Sequence, residues 1–347
     1  MHILILGGTS FVGRHIAITA VTRSHKVTLL NRGTHPAPEG TTSLVGDRLD
    51  ALHGLDALEG LTFDAVLDTW SGDPAAVVRS ATALQSRTEH YAYISSLSVY
   101  EVDPSAGGEG GALWDESAPL FDVTAPDARK SEYQFDKRSA EIAIEGQGFP
   151  KALLIRPGVI LGPHEAAFIE RGRLTWWLSR LSRGGRTPAP GPDTMGLQFV
   201  DARDLAEFVV RGFEKGLTGV YNTVSEVDRV TMGDVLVNGN EVTGNRAELV
   251  WKTPREILDA GVQPWSELPL WLDPESPSYL TVYQWDVTKA EAGGLKCRSA
   301  KETIQDTWAW MEEGELKPVP APEGTKGLLG LPLEKEIKLL VQPGLMK

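Results

Sequence analysis

The amino-acid sequence predicts an α/β protein built on a doubly wound parallel sheet, with a smaller C-terminal lobe. Three observations lead to this fold class. Short apolar runs alternate with helical patterns through the first half of the chain, a glycine-rich turn follows the first run, and the alternation loosens after Pro163. Such alternation is typical of a parallel sheet that is covered by helices on both faces.

The elements of the first half can be predicted in chain order. Val12, Ile16 and Ala20 share one helical face between the first two strands, which gives a strand–helix–strand unit. Residues 101–130 are rich in Gly, Pro and acids and predict a long loop. The predicted strands are 2–6, 26–31, 42–45, 64–68, 90–96 and 152–156.

Composition argues against several functional classes. A net charge of −13 repels phosphate backbones and anionic lipid headgroups, so we expect neither nucleic acid nor a membrane as a partner. No apolar run has the length of a membrane span, and residues 1–6 predict a strand and not a leader. The single cysteine, Cys297, cannot form an internal disulfide, and no His or Cys pair has metal-ligand spacing. We therefore expect a cytoplasmic protein without a metal.

A glycine-rich turn lies between the first strand and the first helix. Glycine lets the backbone approach a pyrophosphate, and the following helix N-terminus offers free N–H groups. The alternative interpretation is a tight strand-to-helix connection without a ligand. The predicted cofactor-binding residues of this turn are Gly7, Thr9, Ser10, Phe11, Val12 and Gly13.

Arg32 follows the second strand, where such folds place the residue that faces the adenosine ribose. An acid there favours NAD, whereas a guanidinium pairs with a 2′-phosphate, so NADP(H) is predicted and NAD(H) is the alternative. Arg14 can supply a second cation, although both arginines are also ordinary surface charges. Asp47, after the third strand, is a candidate acceptor for the adenine amino group or a turn-capping residue.

Tyr133 and Lys137 are four residues apart, which places them on one face of a helix. A phenol with a pKa near ~10 is a poor acid or base at neutral pH, but a neighbouring ammonium stabilises the phenolate. Upstream, residues 93–100 form a strand that ends in hydroxyl groups, at the sheet edge where ligands bind. Ser96 or Ser98 can polarise a substrate carbonyl there, and we favour Ser96; the alternative role is capping of the strand end.

These residues together resemble an extended short-chain dehydrogenase/reductase of the epimerase/dehydratase type. The resemblance spans roughly 1–310. It implies a Rossmann-type domain, Tyr133 as acid/base, Lys137 on the nicotinamide ribose and Ser96 on the substrate. It also implies cofactor contacts from Pro157 and Val159 near the nicotinamide and from Leu67 and Thr69 near the ribose-phosphate. The motifs that carry it are the glycine turn, Ser95-Ser96 before Val99-Tyr100, Tyr133 to Lys137, Arg156-Pro157 to Gly162-Pro163, and Phe199-Val200-Asp201 to Asp204-Leu205-Ala206.

The chain departs from this family at four points. Ser10 replaces the middle loop glycine, and the usual acid after the second strand is missing. Residues 156–160 lack the asparagine that holds the substrate diphosphate in sugar-nucleotide enzymes of the family, and Ser96 is followed by Leu97 and Ser98 and not by the acidic pair of the dehydratases. We therefore expect an NADP(H)-dependent reductase or dehydrogenase of a small organic carbonyl or enone. The alternatives are a sugar-nucleotide epimerase or dehydratase with retained NAD, and a catalytically silent NAD(P)-binding sensor or RNA-binding protein.

The length of 347 residues predicts more than one domain. The strand-like segment Leu197 to Val200 and the helix-like segment Asp204 to Phe213 indicate a return to the main sheet. The resemblance also implies a possible homodimer through helices at the sheet edge. The predicted parts are a dinucleotide-binding domain over 1–163 with a return segment 198–224, a substrate-binding lobe over 164–197 and 225–310, and a tail over 311–347 with an amphipathic end at 333–341.

Overall fold

The computed structural model describes residues 1–102, 113–125, 131–166, 171–314 and 328–341. The chain forms two compact units. The first comprises Met1–Val159, Ala202–Val224 and Asp286–Cys297, and the second comprises Ile160–Asp201, Ser225–Trp285 and Arg298–Lys347.

The strands alternate with helices through the first unit. The strands are β1 His2–Leu6, β2 Lys26–Asn31, β3 Thr41–Val45, β4 Ala65–Asp68, β5 His90–Ile94, β6 Lys151–Pro157, β7 Val159–Leu161, β8 Gly185–Pro190, β9 Gly196–Leu197, β10 Phe199–Asp201, β11 Gly219–Thr223, β12 Val230–Thr231 and β13 Ala247–Lys252. The helices are α1 Phe11–Thr22, α2 Pro74–Leu84, α3 Glu132–Gln147, α4 Arg173–Ser182, α5 Ala202–Lys215, α6 Met232–Val242, α7 Pro254–Asp259, α8 Pro277–Tyr283, α9 Thr288–Gly293, α10 Ala300–Glu312 and α11 Leu333–Leu340.

The first unit contains a seven-stranded sheet in the order β11-β6-β5-β4-β1-β2-β3. Each neighbouring pair is parallel, with Leu4 opposite Thr28 on one side and Val66 on the other. The strand order reverses at β1, so the loops after β1 and β4 diverge there and leave a crevice at the carboxyl edge. The predicted fold class and the six predicted strands are confirmed, with end shifts of one or two residues.

Segment 198–224 differs from the prediction in one part. Its helix, α5, is followed by β11, which joins the main sheet beside β6. Its first strand, β10, instead pairs with β7 outside that sheet. The reason is that the chain leaves the sheet at Pro157, and the next extended residues, 159–161, take β10 as their partner.

The side chains of β1 are buried on both faces of the sheet. Leu4 and Leu6 pack in one cluster with residues of α2 and α3, such as Val77 and Ile144. Ile3 and Ile5 are also fully buried and point to the opposite face, since side chains alternate along a strand. Helix α1 packs beside α5, and α2 packs beside α3.

The second unit is built from α4, α6 and α10, which pack on one another, and from the parallel pair β8 and β13. Its core contains Trp177, whose indole donates to Pro269 O at 2.7 Å, and Trp271, whose indole donates to Gly191 O at 3.1 Å. Both tryptophans are therefore part of the buried core. The predicted amphipathic end forms α11, which lies against β8.

Within the described ranges, the helices are too short or too polar to cross a bilayer.

Candidate active site

The glycine turn after β1 has the backbone that a phosphate-binding loop needs. Gly7 and Gly8 have φ values of 117° and 90°, which side-chain-bearing residues rarely adopt. A Cβ atom on Gly13 would lie 2.9 Å from Gly8 N, so only glycine lets α1 approach the turn this closely. Phe11, the first residue of α1, has a φ of 30°, a strained value for an aromatic residue.

Cationic groups lie beside this turn. Nε of Arg14, in the first turn of α1, is buried and has no hydrogen-bond partner among the described residues. Arg32 is exposed after β2. The neighbouring Asn31 stabilises the turn after β2. Its side-chain amide donates to Ser43 Oγ at 2.8 Å, and its Oδ1 accepts from Gly33 N at 2.8 Å. Both arginines are therefore available to an anion, and a buried donor without a partner is costly unless a ligand or water satisfies it.

Three predicted cofactor residues, Asp47, Leu67 and Thr69, differ in what they can offer to a ligand. Asp47 is exposed, and its Oδ1 accepts from Leu49 N at 3.0 Å, which is the turn-capping role considered as the alternative. The Leu67 side chain is fully buried in β4, so it can offer only its backbone to a ligand. Thr69 lies nearer the edge, where its hydroxyl donates to Leu6 O at 2.9 Å and links the loops after β1 and β4.

A buried ion pair below this edge was not predicted. Arg48 donates to both Asp68 oxygens at 2.6 Å, and to Ser80 Oγ at 3.0 Å. The Tyr91 hydroxyl donates to Asp68 Oδ2 at 2.8 Å. The signal in the sequence is an aspartate that ends an otherwise apolar strand, because a buried carboxylate requires a cationic partner. The pair joins the segment after β3 to β4 and α2.

Lys137 is buried and is held by two hydrogen bonds. Only 2% of it is exposed, and its Nζ donates to Trp70 O at 2.7 Å and to Ile94 O at 2.6 Å. These carbonyls follow β4 and end β5, so the ammonium joins α3 to the carboxyl edge. Burial lowers the pKa of Lys137 to about 7, although the nearby Asp68 and Glu141 carboxylates act to raise it.

Tyr133 lies one helical turn before Lys137 and is 44% exposed. The Nζ atom of Lys137 is 5.8 Å from the centroid of the Tyr133 ring and 4.7 Å from that of Tyr93. The predicted pairing of Tyr133 and Lys137 on one face of a helix is thus present in the structure. The two carbonyl acceptors of Lys137, those of Trp70 and Ile94, could not be predicted from the sequence, because every residue has a backbone carbonyl.

Ser96 follows β5 and caps a short 3₁₀ turn over Leu97–Val99. Its Oγ accepts from Ser98 N at 3.1 Å and from Ser98 Oγ at 2.9 Å. Both bonds use the oxygen as acceptor, so the Ser96 hydroxyl hydrogen is free to donate. Gln134, next to Tyr133, donates from Nε2 to Ser98 O at 3.2 Å and ties α3 to this turn. The structure therefore joins the serine turn to the start of α3.

The remaining predicted residues lie at the end of β6. Pro157 and Val159 are both buried there, on either side of Gly158. A Cβ atom on Gly158 would lie 2.9 Å from the Val224 side chain and 3.2 Å from that of Leu97. This end of the strand is therefore tightly packed, and its backbone is the part that can face a ligand.

A family profile decides the classification. The profile of the NAD dependent epimerase/dehydratase family matches residues 3–223. This chain belongs to the NAD-dependent epimerase/dehydratase family. The matched residues include the glycine turn, Ser96, Tyr133 and Lys137, so the site described above lies within the part of the chain that matches the family. The predicted resemblance is thereby confirmed, and an enzyme of this general type is supported.

One curated relative is the chloroplast stem-loop binding protein of 41 kDa b of Arabidopsis thaliana. The two are 28% identical over an alignment of 241 residues, and the match covers 65% of this chain. The chain spans only 58% of the length of that relative.

Solved structures of the family share the fold. UDP-glucose 4-epimerase of Thermus thermophilus in complex with NAD has a TM-score of 0.64 at 20% identity, over 90% of this chain and 99% of that one. The Bordetella bronchiseptica enzyme WbmG in complex with NAD and UDP has a TM-score of 0.66 at 18% identity, over 92% and 99%. For dTDP-glucose 4,6-dehydratase of Bacillus anthracis the values are 0.64, 15%, 92% and 99%. At these identities the likeness establishes the fold alone.

Proposed function

We propose that this chain is an epimerase or dehydratase that oxidises and re-reduces a hydroxyl-bearing carbon of a nucleotide-linked sugar, with a nicotinamide dinucleotide that stays bound. The observation that carries the proposal is the position of Lys137. Its ammonium is held at the ends of β4 and β5, one turn after Tyr133 and at the same sheet edge as the glycine turn. The family membership and the substrates named for the solved relatives favour this reaction over simple carbonyl reduction.

The residues present fit a dinucleotide. The positive-φ glycines and the close approach of Gly13 to Gly8 leave the backbone of the turn open to a pyrophosphate. The unpartnered Nε of Arg14 supplies a cation beside that turn. Thr69, with Pro157 and Val159, would line the remainder of the cofactor site, and Lys137 would hold the nicotinamide ribose. When bound, the dinucleotide supplies the hydride acceptor and donor.

The chain's own residues would perform the proton transfer. The Tyr133 phenolate would accept the proton of the substrate hydroxyl and return it when the carbon is reduced again. The Lys137 ammonium would stabilise that phenolate by its charge. The Ser96 hydroxyl would donate a hydrogen bond to the substrate oxygen and stabilise the negative charge that develops there. We propose that the second unit supplies the groups that recognise the remainder of the substrate.

The experiment is a test of retained cofactor and of turnover. The purified protein is denatured and the released dinucleotide is identified, and the folded protein is then assayed with UDP-glucose, UDP-N-acetylglucosamine and dTDP-glucose. We expect bound dinucleotide and conversion of at least one sugar, with at least about a hundredfold loss of rate in Tyr133→Phe. Tyr221→Phe removes a hydroxyl from another tyrosine of the same unit and should leave the rate unchanged. Conversion that survives in Tyr133→Phe would refute the assigned role.

A second candidate is the NADP(H)-dependent reductase, which the exposed Arg32 favours. No acidic residue occupies Asn31-Arg32-Gly33, where it would bind the adenosine ribose of NAD. The absence of an asparagine from residues 156–160 also argues for a substrate without a diphosphate. If this candidate is correct, NADPH binds more tightly than NADH, Arg32→Ala removes the difference, and a carbonyl panel is reduced while the sugar nucleotides are not. Equal affinity for both cofactors would exclude it.

The name of the Arabidopsis relative raises a nucleic-acid partner as a third candidate. The net charge of −13 opposes this, because phosphate contacts require clustered cations. We propose a small-molecule substrate instead. Binding of a stem-loop RNA at physiological salt, unaffected by saturating dinucleotide, would support the third candidate. The homodimer, the cytoplasmic location and the boundaries of the substrate-binding lobe stay predictions.

A further inference from the structure

A cavity of about 900 Å³ lies within the second unit, beyond the carboxyl ends of the paired strands β8 and β13. Its walls are the turn 191–193 after β8, the residues 251–255 and 258–259 around the start of α7, and the turn 273–275. The carboxyl ends of parallel strands are a usual place for ligands, and the volume is in the range of small-molecule sites.

The cavity wall includes apolar side chains. Trp251, on β13, is 37% exposed, whereas Trp177, Trp271 and Trp285 of the same unit are fully buried. Leu258, on α7, is 43% exposed and also lines the cavity, as does Pro254. These residues give the cavity wall apolar surface that the body of a ligand can contact.

The cavity wall also carries more acidic than basic side chains. The two basic wall residues each have an acidic neighbour: Lys252 Nζ lies 3.3 Å from Glu256 Oε1, and Arg255 Nε lies 3.6 Å from Asp259 Oδ2. Three further carboxylates of the wall have no ion pair among the described residues. These carboxylates belong to Asp193, Asp273 and Glu275.

We propose that this cavity binds a small organic cation, an ammonium group attached to an apolar or aromatic body. The body would lie on Trp251 and Leu258, where a cation also interacts favourably with the indole face. The ammonium would face the carboxylates, which compensate its charge as it leaves water. An anion of the same size is rejected, because the wall carries three unpaired negative charges and the chain carries a net charge of −13. The proposal does not depend on the proposed function of the first unit.

The test is a calorimetric titration of the full chain with benzyltrimethylammonium, and in parallel with the anion 3-phenylpropionate. We expect saturable binding of one cation per chain that weakens with added salt, and no saturable binding of the anion. Trp251→Ala should weaken cation binding about fivefold, and Trp251→Phe should restore part of the affinity. Asp193→Asn and Glu275→Gln should each weaken it about threefold, because each removes one facing charge.

The control is Glu248→Gln. Glu248 is on β13, like Trp251, but it does not line the cavity, so its variant should leave cation affinity unchanged. The Asp193 and Glu275 side chains make no hydrogen bonds among the described residues, so their variants should fold, and circular dichroism checks this. The proposal is overturned if the anion binds as tightly as the cation, if Trp251→Ala binds the cation like the wild type, or if no saturable binding of the cation occurs.

Discussion

Glu141 and Arg156 form a buried, two-bond ion pair between α3 and β6. Arg156 donates from Nε and from a terminal nitrogen to the two Glu141 oxygens, each at 2.8 Å, and both side chains are at most 1% exposed. Glu141 is one turn beyond Lys137, so Tyr133, Lys137 and Glu141 follow one face of α3. The pair therefore holds that face against the sheet and positions the two residues that we propose for catalysis.

Glu141→Gln should destabilise the protein strongly. It leaves the Arg156 guanidinium buried without a compensating charge, which costs about 3–5 kcal/mol of unfolding free energy. Urea unfolding measures this difference. Glu145→Gln, on the same helix but half exposed, is the matched control and should change stability by less than about 0.5 kcal/mol. Equal stabilities of the two variants would show that the buried pair does not hold α3.

Gly13→Ala should weaken dinucleotide binding by at least about tenfold. The added Cβ would lie 2.9 Å from Gly8 N, so α1 must move away from the turn that receives the pyrophosphate. Fluorescence titration with NADH and NADPH measures the loss. Gly146→Ala places the same methyl group in open space on α3 and should leave affinity unchanged, with a small gain in stability. Unaltered affinity in Gly13→Ala would place the cofactor elsewhere.

The sequence predicted well those features that depend on local pattern. The alternation of apolar runs located β1 to β6, six of the seven strands of the main sheet, and the spacing of Tyr133 and Lys137 placed both on α3. The contacts that give the site its geometry join distant segments. Lys137 is held by the carbonyls of Trp70 and Ile94, and a carbonyl acceptor leaves no mark in composition or spacing.

Charged residues within apolar strands also indicate buried ion pairs. Asp68 ends an apolar strand, and Arg156 interrupts one, so each required a partner from elsewhere in the fold. The partners, Arg48 and Glu141, are ordinary surface residues by sequence alone. The strand-like segment Leu197 to Val200 predicts a return to the main sheet, whereas β10 pairs with β7. A strand-like pattern does not show which neighbouring strand a segment will pair with.

His90 should make the protein sensitive to mild acid. Burial lowers its pKa from 6.5 to about 4, so the folded state keeps the ring neutral while the unfolded chain accepts a proton. Stability is full above about pH 6.5 and is lost as the pH falls toward 4. Unfolding free energies measured by urea across this range should fall less steeply in His90→Phe than in the wild type. His35→Gln, at an exposed position, should keep the wild-type slope; parallel slopes in all three proteins would contradict the assignment.

Lys137 should also make stability rise with pH, but in a higher pH range than His90. Its folded pKa of about 7 lies below the ordinary value of 10.5, so the cost of burying the ammonium is fully present below pH 7. As the pH rises from 7 toward 10.5 the unfolded chain binds more protons than the folded one, and stability increases. Lys137→Met should abolish this increase in urea unfolding of the cofactor-free protein, whereas the exposed Lys26→Met should retain it. An unchanged increase in Lys137→Met would mean that Lys137 is not the group responsible.

Single-turnover absorbance at 340 nm measures whether Tyr133 moves the substrate proton beside a bound dinucleotide. A nucleotide-linked sugar that proves to be a substrate is mixed with the purified protein, and formation of the reduced dinucleotide is followed in the wild type, Tyr133→Phe and Tyr221→Phe. We expect transient reduction in the wild type and in Tyr221→Phe, and at least about a hundredfold slower reduction in Tyr133→Phe with the dinucleotide still bound. Equal rates in all three proteins would contradict this role of Tyr133.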